Sequence, residues 1–154
     1  MKIEASRLTL RTVSDTDAAT ILDAVKCPDI HLMHSNQFTS ISKVQDYIDN
    51  LIKEYETGQY STMAIADKNA NALIGIINLV KDKTFPRAEI SYWITSSHRN
   101  LGYATEAVSA IIAHGFNKLC LNRIQAMHFP ANSASGQVLK KSGMQHEGIL
   151  RQYV

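Results

Sequence analysis

The stretch Ser96-Ser97-His98-Arg99-Asn100-Leu101-Gly102-Tyr103-Ala104 sets one glycine just ahead of an apolar helical repeat. That arrangement can hold an anion. The first turn of a helix leaves backbone N–H groups without partners, and the helix dipole places partial positive charge there. Phosphate suits such a place. Gly102 lets the backbone approach a ligand with no Cβ in the way, and Ala104 keeps the helix start narrow. A plain strand-to-helix turn explains the loop equally well when it stands alone. A nucleotide P-loop does not fit, because no Gly-Lys-Ser/Thr ending is present. The glycine spacing also rules out a dinucleotide fingerprint.

The elements that would position this loop follow from hydrophobic periodicity. Leu8 to Val13 alternates as a half-buried strand does. Ser14 or Asp15 caps a first helix, with Ala18, Ile21, Leu22 and Val25 at helical spacing, ending near Cys27-Pro28. A second helix starts after Ser40 and carries Val44, Tyr47, Ile48, Leu51, Ile52 and Tyr55 on one face, with Gly58 as its stop. Tyr60–Ala66, Leu73–Lys81 and Ala88–Thr95 read as three strands joined by short polar turns, hence an antiparallel meander. A long helix follows along Ala104, Ala107, Val108, Ile111, Ile112, Gly115 and Phe116. Asn122–Phe129 reads as a strand, Asn132–Ser142 as a short helix closed by Gly143, and Met144–Leu150 as a last strand. The expected order is β-α-α-β-β-β-α-β-α-β. That is a single α/β (α+β) domain over residues 1–154, with a mixed, mostly antiparallel central sheet flanked by helices.

Bulk properties exclude several classes. Apolar residues make up 45% and charged residues 19%, which argues against disorder. A net charge of +2 is too small to indicate nucleic-acid binding. The longest apolar run, Leu73 to Val80, is broken by Gly75 and Asn78 and is far too short for a membrane span. Met1 to Arg7 lacks the apolar core of a signal peptide. Cys27 and Cys120 stand apart with no metal-ligand spacing, so they read as reduced structural thiols in a cytoplasmic protein.

Ala88-Glu89-Ile90-Ser91-Tyr92-Trp93-Ile94 followed by Arg99-x-x-Gly102-x-Ala104-Thr105-Glu106-Ala107 resembles the acetyl-CoA motif of the GNAT acetyltransferase superfamily. The match is closest to the Rim-type ribosomal-protein N-terminal acetyltransferases. Asn132-x-x-Ser135-x-x-Val138-Leu139-x-x-x-Gly143-Met144 resembles that group's second signature, and Arg7-Leu8-x-Leu10-Arg11 its first strand. The resemblance spans essentially the whole chain. It implies acetyl-CoA as cofactor, with main-chain groups of Ile94 and Thr95 pairing with the pantetheine arm. The amides of Arg99, Asn100, Leu101, Gly102, Tyr103, Ala104 and Thr105 would cradle the pyrophosphate, and Asn132 would contact the arm from the other side. A gap between the strand ending at Thr95 and the strand beginning near Asn122 would admit the thioester.

Transfer of acetyl to an amine needs a neutral amine, a polarised carbonyl and a departing thiolate. An α-amine is about 14% neutral at pH 7 and a lysine about 0.04%, so an N-terminal acceptor needs less help from a base. The resemblance makes Glu89 the candidate base, directly or through water; a structural carboxylate is the alternative. It places Ser135 near the departing sulfur, where its hydroxyl would hydrogen-bond or relay a proton; a helix-start serine satisfying backbone is the alternative. A backbone N–H near Ile94 or Thr95 would polarise the carbonyl. Strand alternation sets Glu89, Ser91 and Trp93 on one face and Ile90, Tyr92 and Ile94 on the other. Tyr92 and Trp93 read as core or as tunnel wall. His31, His34, Asn36 and Phe38 lie in the connection that borders the acceptor site in the resembled family. The histidines there read as loop packing rather than metal ligands, since no third ligand is spaced to join them.

The resembled family continues past the strand ending near Leu150 with a turn and one more strand, whereas this sequence stops at Val154. An unfilled sheet position leaves unpaired backbone groups. The expectation is therefore a homodimer, by strand exchange or edge pairing. The acceptor is a primary amine, on a protein N-terminus (a ribosomal protein included) or a small molecule. Two rival readings stay open: a non-catalytic acyl-CoA-binding protein, and a generic phosphate-binding α/β domain.

Overall fold

Alternating apolar residues and short turns build one six-stranded sheet in the computed structural model, which describes residues 2–31, 38–57 and 60–152. The strands are β1 (Lys2–Glu4), β2 (Leu8–Thr12), β3 (Tyr60–Asp67), β4 (Leu73–Lys81), β5 (Arg87–Ile94) and β6 (Arg123–Ala126), and they lie in that spatial order. Neighbours are antiparallel except β5 and β6, which are parallel. The helices are α1 (Ala18–Ala24), α2 (Pro28–His31), α3 (Ile41–Thr57), α4 (Tyr103–Asn117) and α5 (Ser133–Lys141). Mixed α/β architecture, with a mostly antiparallel sheet between helices, is what the periodicity predicts.

Each face of the sheet buries a separate apolar cluster. Leu10, Ile65, Ile77, Leu79, Ile90 and Ile94 pack against Ala107, Val108 and Ile111 of α4 and Leu139 of α5. On the opposite face, Ile76 and Trp93 pack against Ile21 of α1 and Val44 and Ile48 of α3. The alternation expected along β5 is thus realised, with Ile90 and Ile94 toward α4 and Trp93 toward α1 and α3. Asp17, 3% exposed, ties the start of α1 to β2 through two bonds from Arg11 (2.8 and 2.9 Å) and one from the Ser14 amide (2.9 Å).

Five expectations need correction. The first helix is not continuous: a 3₁₀ turn (Asp15–Asp17) precedes α1, which ends at Ala24, and Pro28 starts the separate α2. Proline suits the first position of a helix but not its interior. β1 was not expected; three exposed or half-buried residues form it by pairing with Thr9, Leu10 and Arg11. The strand expected over 122–129 covers only Arg123–Ala126. Met144–Leu150 forms no strand: left-handed Gly143 (φ 87°) turns the chain after α5, residues 145–150 are exposed, and Glu147 is held by Arg123 (2.6 and 2.9 Å). A strand needs a hydrogen-bonded neighbour, and none reaches this segment among the described residues. The expected helix stop Gly58 lies outside the described residues. Cys27 is half-buried, while Cys120 is exposed rather than a packed structural thiol.

Candidate active site

The site is set by where two parallel strands part. β5 and β6 pair only from Arg87↔Arg123 to Ile90↔Ala126, after which β5 runs on to Ile94 paired with β4 on its other side. Thr95 donates its amide to the Ile74 carbonyl (2.9 Å). By strand alternation the backbone groups of Tyr92 and Ile94 therefore face away from β4, into the opening beyond Ala126. Thr95 is turned the other way, and its carbonyl accepts from the His98 amide (3.0 Å). Of the two residues expected to meet a pantetheine arm through their backbone, Ile94 faces the opening and Thr95 does not. The Ile94 carbonyl accepts from Arg99 Nε (3.2 Å).

The loop from Arg99 to Gly102 carries two left-handed residues, Asn100 (φ 62°) and Gly102 (φ 81°). Asparagine tolerates that conformation and glycine adopts it freely. Such alternation aims successive N–H groups into one concavity. The amides from Asn100 to Thr105 donate no hydrogen bond among the described residues, whereas the Glu106 amide bonds the Gly102 carbonyl (3.1 Å). Arg99 itself turns its side chain under the loop, with Nη2 3.6 Å from Cys27 Sγ.

On the α4 side of β5, the Tyr92 hydroxyl lies 2.9 Å from Ser135 Oγ and donates toward the Ser135 carbonyl (3.3 Å). Asn132 caps α5, its side-chain oxygen accepting from the Ser135 amide (3.1 Å). That bond leaves the side-chain nitrogen of Asn132 and the second lone pair of its oxygen for a ligand. Burial pushes the Tyr92 phenol above its ordinary range, and the Ser135 bond draws it back by less. The phenol thus stays protonated. Tyr92 as a partner of Ser135 is beyond sequence reading, since the two stand 43 residues apart.

On the other face of β5, Glu89 is half-buried and accepts from Gln125 Nε2 (3.2 Å), its cross-strand neighbour. Asn78 donates to Ser91 Oγ (3.0 Å), and its own buried carbonyl oxygen has no partner among the described residues. This face therefore offers acceptors, which suits a donor such as an amine. Glu89 and Ser135 are not brought into contact: they flank β5 from opposite faces. A cavity of about 400 Å³ between α1 and the Thr95–His98 turn, lined by Asp23, Lys26, Cys27 and His98, includes neither.

Of the connection expected to border an acceptor, Phe38 packs on Tyr47 (ring centroids 4.8 Å) and on the α1–α3 cluster. His34, Asn36 and the side chain of His31 lie outside what is described. His98 is structural, its Nδ1 meeting Thr95 Oγ1 (2.8 Å) and Ser97 Oγ (3.0 Å).

Open amides on a strand-to-helix loop, beside an open strand edge, fit a ligand with a diphosphate at one end and an extended amide-containing arm at the other. The family model described as "Acetyltransferase (GNAT) domain" matches residues 7–145. The chain belongs to the GNAT acetyltransferase family. This acetyltransferase is 32% identical over 154 residues to the uncharacterized N-acetyltransferase YoaA of Bacillus subtilis, covering 99% of this chain and 87% of that one. It is 35% identical to the uncharacterized N-acetyltransferase p20 of Bacillus licheniformis, covering 96% and 84%. Its fold matches a ribosomal L7/L12 alpha-N-protein acetyltransferase, RimL, solved in complex with coenzyme A (TM-score 0.86, 19% identity, covering 100% of this chain and 89% of that one). The enzyme class is therefore N-acetyltransferase, with acetyl-CoA as acyl donor. Among the described residues no helix is long and apolar enough to cross a membrane.

Proposed function

We propose that this acetyltransferase acetylates a primary amine, of a protein N-terminus or a small molecule, by direct attack with donor and acceptor bound together. The observation that carries the proposal is the parting of β5 and β6 after Ile90 and Ala126, with Glu89 and Ser135 flanking β5 on opposite faces. Acetyl-CoA supplies a thioester-activated acetyl group. The amides of Asn100 to Thr105 hold its diphosphate, with Arg99 bracing the loop from below, and the open backbone edge at Ile94 pairs with its arm. The Ile94 amide polarises the acyl carbonyl, whereas that of Thr95 is engaged by the Ile74 carbonyl.

Glu89 takes the amine's proton on the α1–α3 face, where Ser91 and Asn78 add acceptors. Ser135 holds a proton at the sulfur on the α4–α5 face. Tyr92 supports it: when its one proton turns from the Ser135 carbonyl to Ser135 Oγ, which lies nearer (2.9 against 3.3 Å), the serine hydroxyl is free to donate onward. Glu89→Gln is expected to lower kcat about 100-fold while thermal stabilisation by acetyl-CoA stays unchanged, general-base catalysis being of that size. Ser135→Ala and Tyr92→Phe should each lower kcat about 10-fold, and the double variant no further, as for groups acting as one unit. Full activity in Glu89→Gln removes its role; additive losses at Ser135 and Tyr92 separate theirs.

An acceptor screen tests the function: acetyl-CoA with peptides bearing varied N-termini, ribosomal-protein N-termini included, with polyamines and with antibiotic amines, read by mass detection. Acetylation of no amine in the panel, with acetyl-CoA bound, supports a non-catalytic acyl-CoA-binding protein instead. That reading has an observation behind it, since β6 has one neighbour among the described residues while Met127 and Phe129, just after it, are exposed. The same free edge supports a homodimer, by edge pairing or strand exchange. Light scattering is expected to give twice the chain mass, and a stable soluble monomer contradicts that assembly.

A further inference from the structure

Arg7 stands just before β2 and reaches the start of α4, 99 residues later at Glu106. Its backbone amide donates to Glu106 Oε1 (2.6 Å) and its Nε to Oε2 (2.8 Å), so both carboxylate oxygens are engaged. Its Nη1 donates to the Leu101 carbonyl (3.0 Å), and its guanidinium lies 4.4 Å from the centre of the Tyr103 ring. Nη2 sits 3.4 Å from where a Cβ on Gly102 would be. One side chain thus touches the loop, its glycine, the first residue of α4 and that helix's first-turn acid.

The Glu106 side chain is 16% exposed. A first-turn carboxylate stabilises a helix through the dipole, but here the same helix end is where a diphosphate is expected. Two anionic groups at one helix N-terminus repel, and a largely buried carboxylate without a partner is unfavourable in its own right. We propose that Arg7 is a positioning residue for the cofactor's diphosphate. It neutralises Glu106 and holds the Leu101 carbonyl on its own side. Because C=O and N–H point oppositely across a trans peptide, that anchor directs the Gly102 amide away from Arg7, into the concavity. Lysine has neither the fork nor the planar stack needed for these contacts.

The inference rests on the cofactor reading of Asn100 to Thr105, and its test uses binding rather than turnover. Coenzyme A is titrated calorimetrically into the full chain and into Arg7→Ala, Arg7→Lys, Glu106→Gln and the Arg7→Ala/Glu106→Gln double variant, with the melting temperature of each ligand-free protein recorded alongside. Arg7→Ala is expected to weaken coenzyme A binding tenfold or more, most strongly at low salt, where charges are least screened. Adding Glu106→Gln should restore at least threefold of that loss, which a merely structural defect would not allow. Glu106→Gln alone should bind no more weakly than wild type, and Arg7→Lys should fall between wild type and Arg7→Ala. If Arg7→Ala does not fold, weakened binding in Arg7→Lys beside unweakened binding in Glu106→Gln carries the proposal. Wild-type-like affinity in Arg7→Ala, or a double variant as weak as Arg7→Ala, overturns it. A wild-type protein that fails to bind coenzyme A overturns the cofactor reading, and this inference with it.

Discussion

Gly102→Val is expected to abolish the thermal stabilisation that acetyl-CoA confers on the wild-type protein. Gly102 is left-handed at φ 81°, the residue from which α4 starts. A β-branched residue there costs on the order of 1–3 kcal/mol, and rotation to an ordinary φ relieves the strain. That rotation turns the amides from Asn100 to Thr105 out of their common concavity. With ligand at 100 times Kd, the wild-type protein gains about 2.7 kcal/mol, or roughly 5–11 °C for a chain of this size. A 100-fold weaker site retains about 0.4 kcal/mol by the same relation, which a melting curve barely resolves. Gly143→Val is the control. It is equally left-handed (φ 87°) with nothing within 4 Å of its absent Cβ, and it lies after α5. Both variants should lose similar ligand-free stability, yet only Gly102→Val should lose the acetyl-CoA shift. Equal shifts in both would remove the loop from the cofactor site.

Gly75→Ala is expected to be the most damaging single-atom change in the sheet. Gly75 pairs with Ile94 across β4 and β5, and a Cβ there would stand 2.2 Å from the Trp93 carbonyl oxygen and 3.1 Å from Ile94 Cα. Those are backbone atoms and cannot rotate aside. The strands must separate at the rung where β5 runs past the end of β6. Overpacking of this kind costs about 3 kcal/mol or more, a fall in melting temperature of roughly 6–12 °C. Displacement of Ile94 should also weaken acetyl-CoA binding in whatever protein folds. A melting temperature within about 2 °C of wild type would show that β4 and β5 are less tightly joined than the approach of Gly75 to the Trp93 carbonyl implies.

How far the sequence could be read depended on whether each feature was local. β3, β4, β5, α3 and α4 were legible because each carries its own local pattern: Leu73 to Lys81 is a short, nearly continuous apolar run, as in a strand covered on both faces, and Ala107, Val108 and Ile111 repeat along one stripe of α4. The strand-to-helix loop proposed to hold the diphosphate was legible as a loop for the same reason, since a glycine before a helical stripe is a local pattern. Met144 to Leu150 had strand-like residues but no neighbour, and pairing is a property of two segments. The point where β5 and β6 part was likewise hidden, because register belongs to the pair. Gly75 read as an interruption of an apolar run; only the approach of the Trp93 carbonyl explains it. The pairs Arg7–Glu106, Tyr92–Ser135 and Glu89–Gln125 join residues 99, 43 and 36 positions apart, far beyond any local period.

In the proposed reaction the opening beside Ile94 brings an acetyl thioester within reach of an amine. Single-turnover thiol release tests it most directly: the protein is mixed with less than one equivalent of acetyl-CoA, with and without an amine found in the acceptor screen, and free thiol and acetylated amine are followed together. Thiol should appear only when the amine is present, one for each acetyl group transferred, and Gly102→Val should release none on the same timescale. Thiol release that is independent of the amine, or that proceeds equally in Gly102→Val, would contradict the account.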